Sequence, residues 1–158
     1  MRIGLVTALL VLLLDQAAKS WALGLPPGEH RLLLGDDSLG LGLALVRNPG
    51  IVFGMLLPVG GWPQVMVLAL VVLVAVVMLL RMLGSRRVLL NIGRGLVVGG
   101  AASNLADRLR LGAVVDYLVV RRGDLGFAFN VADLAVVGGA ILMIGWAAAY
   151  ALTSGRAA

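Results

Sequence analysis

The chain has no cysteine, a single histidine, His30, and few charges, with only 13% of its 158 residues being Asp, Glu, Lys or Arg. The missing cysteine removes disulfides, thiolate nucleophiles and thiolate metal sites together. One histidine is too few for an HExxH zinc hydrolase and is poorly placed for a Ser-His-Asp triad. No metal and no organic cofactor is therefore expected. The scarcity of charge is matched by an apolar excess: 61% of the residues are hydrophobic and the mean hydropathy is +1.04. Soluble domains are about half apolar and about a quarter charged. A globule this small cannot hide so much apolar surface, so its solvent is lipid. The net charge is +5, yet no basic stripe is interleaved with aromatics. Basic loops on one side of a membrane explain it better than a nucleic-acid partner.

Four apolar runs, at about 3–23, 64–83, 89–108 and 129–152, each approach the roughly 20 residues that cross a bilayer as a helix. The first begins after Arg2 and has small residues at Ala17 and Ala18, as a secretory signal would. Asp15 and Lys19, however, fall where a cleavage site needs small neutral residues, so the run is expected to stay as a span. Leu25-Pro26-Pro27-Gly28 ends it, because proline cannot continue a helix. From 28 to 57 the pattern changes. Leu39-Gly40-Leu41-Gly42-Leu43-Ala44-Leu45 alternates at period two, and with Arg31-Leu32-Leu33-Leu34-Gly35 it predicts a small β-sheet on the outer membrane face, turning at Asp36-Asp37. The third run carries Gly95 and Gly99, then Gly100, Ala101 and Ala102, a small-residue face for close helix packing. Residues 109–128 read as a mixed segment with a turn at Arg121-Arg122-Gly123-Asp124-Leu125-Gly126.

The expected fold is a mainly α membrane protein, one domain over 1–158, with four transmembrane helices and a surface sheet between the first two. Four spans put both termini on one side. That side holds Arg2, Arg81, Arg86, Arg87, Arg94 and Arg156 and no acid, whereas every acid falls on the other side together with Lys19, Arg31, Arg47, Arg108, Arg110, Arg121 and Arg122. The basic counts are close to even, but the short loop after the second span is purely basic, which places the termini in the cytoplasm.

Two aspartates stand out. Asp116 is flanked by Val114, Val115 and Tyr117, and Asp133 by Val131, Ala132 and Leu134. Carboxylates kept among apolar residues beside lipid are costly and usually functional. If the two meet, they cannot both ionise comfortably, so they share a proton and can act as general base and general acid. The residues alone leave a second reading open, in which Asp133 caps the fourth helix and Asp116 ends a strand. Asn104, Asp107 and Arg108 share one face of the third run, either capping it at the interface or serving the acids. Asp15 and Lys19, four apart, are expected to form an interfacial ion pair that holds the end of the first helix in register. The alternative function is a small proton-coupled transporter or channel subunit relaying protons through Asp116 and Asp133. Acids clustered at one face, with no internal repeat, argue against it.

Five segments in order carry a resemblance. They are Asp15-Gln16-Ala17-Ala18-Lys19, Asn48-Pro49-Gly50-Ile51-Val52-Phe53-Gly54, the run from Gly99 to Arg108, Val114-Val115-Asp116-Tyr117, and Phe129-Asn130-Val131-Ala132-Asp133. Together they resemble the motifs of the lipoprotein signal peptidase (signal peptidase II) family. The resemblance implies an aspartyl endopeptidase of the bacterial inner membrane. Such an enzyme removes the signal peptide of a diacylglyceryl-modified prolipoprotein, cutting before the lipidated cysteine, with its active site near the outer face. It also implies roles: Asp116 and Asp133 as the catalytic dyad, and Asn104, Arg108 and Asn130 orienting dyad and substrate. Asn48 would help hold the peptide, while Asp15, Lys19, Gly50 and Asp107 would give structural support. The partners implied are lipidated signal peptides and membrane lipid, with the chain acting as a monomer. Pro49, Ser103, Tyr117 and Leu134 depart from the family's usual residues, which bears on substrate range more than on reaction type. A member that only binds its substrate is a further alternative.

Overall fold

The computed structural model describes residues 2–26, 28–36, 38–50, 62–123 and 125–154. Pro27, Asp37, Asp124, Arg156 and the stretch Ile51-Val52-Phe53-Gly54 lie outside the described residues. In chain order the elements are helix α1 (Arg2–Ala22), strands β1 (Arg31–Gly35) and β2 (Leu39–Asn48), helices α2 (Trp62–Leu83) and α3 (Val88–Leu111), strands β3 (Val114–Arg122) and β4 (Leu125–Phe129), and helix α4 (Val131–Ser154). Among the described residues, α1, α3 and α4 are long and apolar enough to cross a membrane, and α2 contributes a shorter apolar stretch, Leu68–Leu83.

α3 is the inner helix, packed between α1 and α4. Its small residues explain why it, and not the more hydrophobic α2, takes that place. A Cβ on Gly95 would strike the Gly4 carbonyl of α1, and one on Gly99 would lie 2.5 Å from the Ala8 carbonyl oxygen. On the opposite side, a Cβ on Gly100 would strike the Ala132 carbonyl of α4, while Gly139 of α4 approaches the Gly93 carbonyl in return. Glycine on both faces lets two backbones approach one helix, which is how helices associate in lipid without a hydrophobic driving force between them. Gly112, at φ +72°, then ends α3 in the left-handed conformation and donates its N–H to the Arg108 carbonyl at 3.1 Å.

The sheet is larger than the sequence reading. Both strands expected before α2 are present and paired antiparallel, and Asp36 closes their turn by accepting the N–H groups of Ser38 and Leu39. Two further strands come from 109–128, the segment read only as mixed, giving one antiparallel sheet in the order β1-β2-β3-β4. β3 carries no alternation because it is central and covered. Val114, Val115, Asp116 and Tyr117 are all buried, and Val115 and Tyr117 pack on Ala22 at the end of α1. A strand shielded on both faces reads as a continuous apolar run. The register sets Val46 opposite Asp116 and Asn48 opposite Val114, which brings the end of β2 to the first acid.

Gly99→Ala is expected to lower stability by about 1–3 kcal/mol through overpacking against α1. Gly138→Ala, where a Cβ meets nothing within 4 Å, is expected to be neutral or mildly stabilising. Thermal unfolding of the two variants in detergent checks the difference.

Candidate active site

Asn130 is where the elements converge. It ends the connection from β4 and is the N-cap of α4: its side-chain oxygen accepts the Asp133 N–H at 2.9 Å, and the Asp133 carboxylate accepts the Asn130 N–H at 3.3 Å. This is a reciprocal capping box built from Asn and Asp, satisfying two donors that a helix start leaves open. The same Asn130 amide donates to the Asp116 carboxylate at 2.7 Å and lies 3.3 Å from the Val115 carbonyl oxygen. One fully buried residue therefore bonds both acid groups, that of Asp116 through its side chain and that of Asp133 through its backbone N–H. The capping role open at the sequence level is real for Asp133 and does not compete with bringing the two carboxylates to one place, whereas Asp116 lies inside β3 and not at a strand end.

Each carboxylate has a further donor. The Asn48 amide at the end of β2 donates to Asp116 at 2.9 Å, and its oxygen is fixed by the Gly50 N–H at 2.9 Å. The Asn104 amide donates to Asp133 at 2.7 Å, and its oxygen accepts from Asn130 at 3.1 Å and from the Lys19 ammonium at 2.7 Å. Arg108 reaches over from α3, donating to the Gly50 carbonyl at 2.9 Å and to that of Asn104 at 3.3 Å. Asp116 itself is 1% exposed, while Asn48, Asn104, Arg108 and Asp133 are half-buried. The half-buried side is the face from which a substrate can approach.

Burial pushes the Asp116 carboxyl up to about 6, with the Asp133 charge adding to the effect and the Asn48 and Asn130 amides opposing it. Burial also pushes the Tyr117 phenol up to about 12, so it stays neutral. Its oxygen accepts the Val131 N–H at 3.4 Å, at the first turn of α4.

Behind the acids lies a second polar layer. Lys19 is 2% exposed and pairs with Asp15 at 2.7 Å and with Asp107 at 2.9 Å. The expected interfacial pair is thus a buried triad, because α3 and α4 cover the end of α1. Asp15 also accepts the Ser103 hydroxyl at 2.6 Å and the Ala132 N–H of α4 at 2.9 Å. Asp107 accepts the Val115 N–H of β3 at 3.1 Å and the Gln16 amide at 2.9 Å. Helix α1 is in this way bonded to α3, α3 to the strand carrying Asp116, and α1 to the helix carrying Asp133. Asp15, Lys19 and Asp107 touch neither Asp116 nor Asp133 directly.

Sequence reasoning passed over Gln16, Ser103 and Tyr117 as contributors. Gln16 donates to Ser103 and Asp107 and accepts from Arg110 at 3.0 Å. Its position within the Asp15–Lys19 turn was the available signal. Ser103 and Tyr117 were noted only as departures, yet each hydroxyl is bonded, one to Asp15 and one to the start of α4. Among the described residues no cluster of His, Asp and Glu has the arrangement to hold a metal ion, and no buried side-chain polar atom lacks a partner.

Comparison with known proteins fits this geometry. A family model for signal peptidase (SPase) II matches residues 7–148. The lipoprotein signal peptidase of Rhodopseudomonas palustris is 35% identical over 148 residues, covering 90% of each chain. That of Moorella thermoacetica is 40% identical over 142 residues, covering 88% of each. A solved bacterial membrane enzyme structure superposes with a TM-score of 0.75 over 91% of this chain and 86% of its own, at 21% identity. A second gives 0.73 over 91% of both. At that identity the structures speak for the fold alone.

Two outcomes follow from the site. A 13C-carboxyl NMR titration of Asp116 is expected to show a midpoint near 6. Asn48→Ala, which removes a donor that favours the charged form, is expected to move the midpoint higher. Lys19→Met leaves Asp15 and Asp107 facing each other without a cation and is expected to cost about 3–5 kcal/mol of stability, measured by thermal unfolding.

Proposed function

The chain belongs to the signal peptidase II family, and from that premise we propose that Asp116 and Asp133 form its catalytic dyad. It is a bacterial membrane protein, an aspartic-type protease that removes signal peptides from lipoprotein precursors. The observation that carries the dyad is Asn130, whose side-chain amide donates to the Asp116 carboxylate and whose backbone N–H donates to the Asp133 carboxylate. The transporter alternative has no support. Its acids belong near mid-span, whereas Asp116 sits on a strand and Asp133 in the first turn of a helix.

The dyad shares one proton. The ionised carboxylate takes a proton from a water as that water attacks the scissile carbonyl carbon, and the protonated carboxyl donates to the carbonyl oxygen. The tetrahedral intermediate then collapses, the C–N bond breaks, and the amine of the lipidated cysteine leaves with a proton from the dyad. Asn48 and Asn104 each hold one carboxylate in orientation. Arg108, bonded to the Gly50 carbonyl, keeps Gly50 beside Asn48 and Asp116, where it can line the substrate's backbone. Asp15, Lys19 and Asp107 support these elements from behind.

The remaining expectations form one arrangement with this. α2 completes four transmembrane helices, the chain is a single domain acting as a monomer, and both termini are cytoplasmic. The sheet and dyad then lie at the outer face, where the precursor's diacylglyceryl tails can stay in lipid while its scissile bond meets the acids. The purely basic turn at Arg86-Arg87 supports this orientation.

Asp116→Asn and Asp133→Asn are each expected to lower cleavage of a purified diacylglyceryl-modified prolipoprotein by roughly 10²–10⁴-fold or more. Equal cleavage by wild type and both variants would contradict the dyad. The rate at low substrate is expected to fall as pH rises through about 6, by about tenfold per unit well above it, because loss of the Asp116 proton leaves both carboxylates ionised and the dyad without its general acid. A pH profile flat across that range would count against a role for Asp116 in proton transfer.

A further inference from the structure

The end of the bundle away from the acids holds a second feature that the peptidase reading does not use. It lies about 30 Å from Arg108 along α3. The segment 62–106 contains four arginines, Arg81, Arg86, Arg87 and Arg94, and no acid, and no acid follows Asp133. All four line one cavity of about 650 Å³ between the end of α2, the turn into α3, and Trp146 of α4. Four cations in one recess repel each other unless an anion fills it.

The cavity is anchored from within. Arg94 donates to the Arg81 carbonyl at 3.0 Å and to the Asn91 side chain at 3.1 Å, and Asn91 donates to the Ser85 carbonyl at 3.0 Å. The Arg87 guanidinium lies 4.4 Å from the centre of the Trp146 ring, which stacks on Tyr150. Cation–π contacts of this kind hold an arginine in place, and Trp and Tyr mark the level of lipid headgroups.

A second cavity, about 350 Å³, continues from the first and shares Arg81, Leu90, Arg94 and Trp146 with it. Its remaining walls are Val77, Met78, Met143 and Ala147. A cationic mouth thus opens onto an apolar groove between α2 and α4, at a place where α2 packs chiefly against α3.

We propose that this composite cavity binds one anionic phospholipid, its phosphate held by the arginines and one acyl chain laid in the groove between α2 and α4. The pairing of the two cavities selects this occupant: a free phosphate would leave the groove unfilled, and a zwitterionic lipid would bring its own cation among the four arginines. The site also gives α2 a fixed position, with the lipid filling the gap between it and α4. The proposal needs the chain to sit in a bilayer but does not depend on which residues cleave the substrate.

The test is native mass spectrometry of the full chain in neutral detergent, titrated with dioleoyl phosphatidylglycerol, dioleoyl phosphatidylcholine or inorganic phosphate. Wild type is expected to hold one phosphatidylglycerol at least fivefold more tightly than phosphatidylcholine. Arg81→Gln with Arg86→Gln is expected to weaken phosphatidylglycerol by roughly 25-fold, about fivefold for each arginine. The matching lysine pair, which keeps the charge, is expected to stay within a few-fold of wild type. Ala147→Trp, which fills the groove and leaves the arginines in place, is expected to weaken both lipids. Equal affinity for the two lipids, or a glutamine pair that binds like wild type, would overturn the proposal. So would full displacement of the lipid by millimolar inorganic phosphate, or unchanged binding by Ala147→Trp.

Discussion

Lys19 keeps its ammonium within 2.7 Å of Asp15 and 2.9 Å of Asp107, with 2% of its surface exposed. Three charges without solvent are costly unless they are paired and hydrogen-bonded, and here every carboxylate oxygen and every ammonium proton has a partner. Asp15 takes the Ala132 N–H of α4 and Asp107 takes the Val115 N–H of β3. The ion cluster therefore does more than join α1 to α3. It fixes the two chain segments that carry Asp116 and Asp133, each a residue away from an amide it binds. The glycines of α3 make this possible, since only close helix approach puts side chains as short as aspartate within reach of their partners.

On that base, the proposed dyad is held by neutral amides. Asn48, Asn104 and Asn130 each donate to a carboxylate without adding charge, and although the Asn48 and Asn130 amides favour the ionised form of Asp116, burial outweighs them. Arg108 donates to the backbone carbonyls of Gly50 and Asn104. An Asp116 carboxyl pushed up to about 6 is suited to exchanging protons near neutral pH, where a fully ionised acid could only attract charge. A polar supporting layer behind and amide donors beside the acids is the arrangement expected of a site that must hold its geometry.

Much of this was legible in the sequence because it is local. Helices α1, α3 and α4 announced themselves by length and apolarity, the first hairpin by the alternating Leu-Gly pattern, and the acids by their apolar neighbours. The second hairpin was not legible. Val114 to Val120 lacks alternation because the strand is covered on both sides, and nothing local separates a covered strand from a short helical run. Burial of Lys19 was hidden for a different reason. An i,i+4 Asp-Lys pair at a helix end looks the same whether water or two other helices surround it, and its third member stands 88 residues along. The bridge at Asn130 likewise depends on the β3–β4 register and the start of α4, which meet only in the folded chain. The spacing Asn130-x-x-Asp133 did carry a helix-start signal.

The dyad mechanism is tested most directly by a single turnover in water enriched in oxygen-18, using an excess of enzyme over lipidated precursor. Direct attack by dyad-activated water places one heavy oxygen in the new carboxyl group of the released signal peptide and none in Asp116 or Asp133. Label found in either aspartate would mean that the carboxylate itself had attacked the substrate, and general acid–base catalysis by the pair would be wrong.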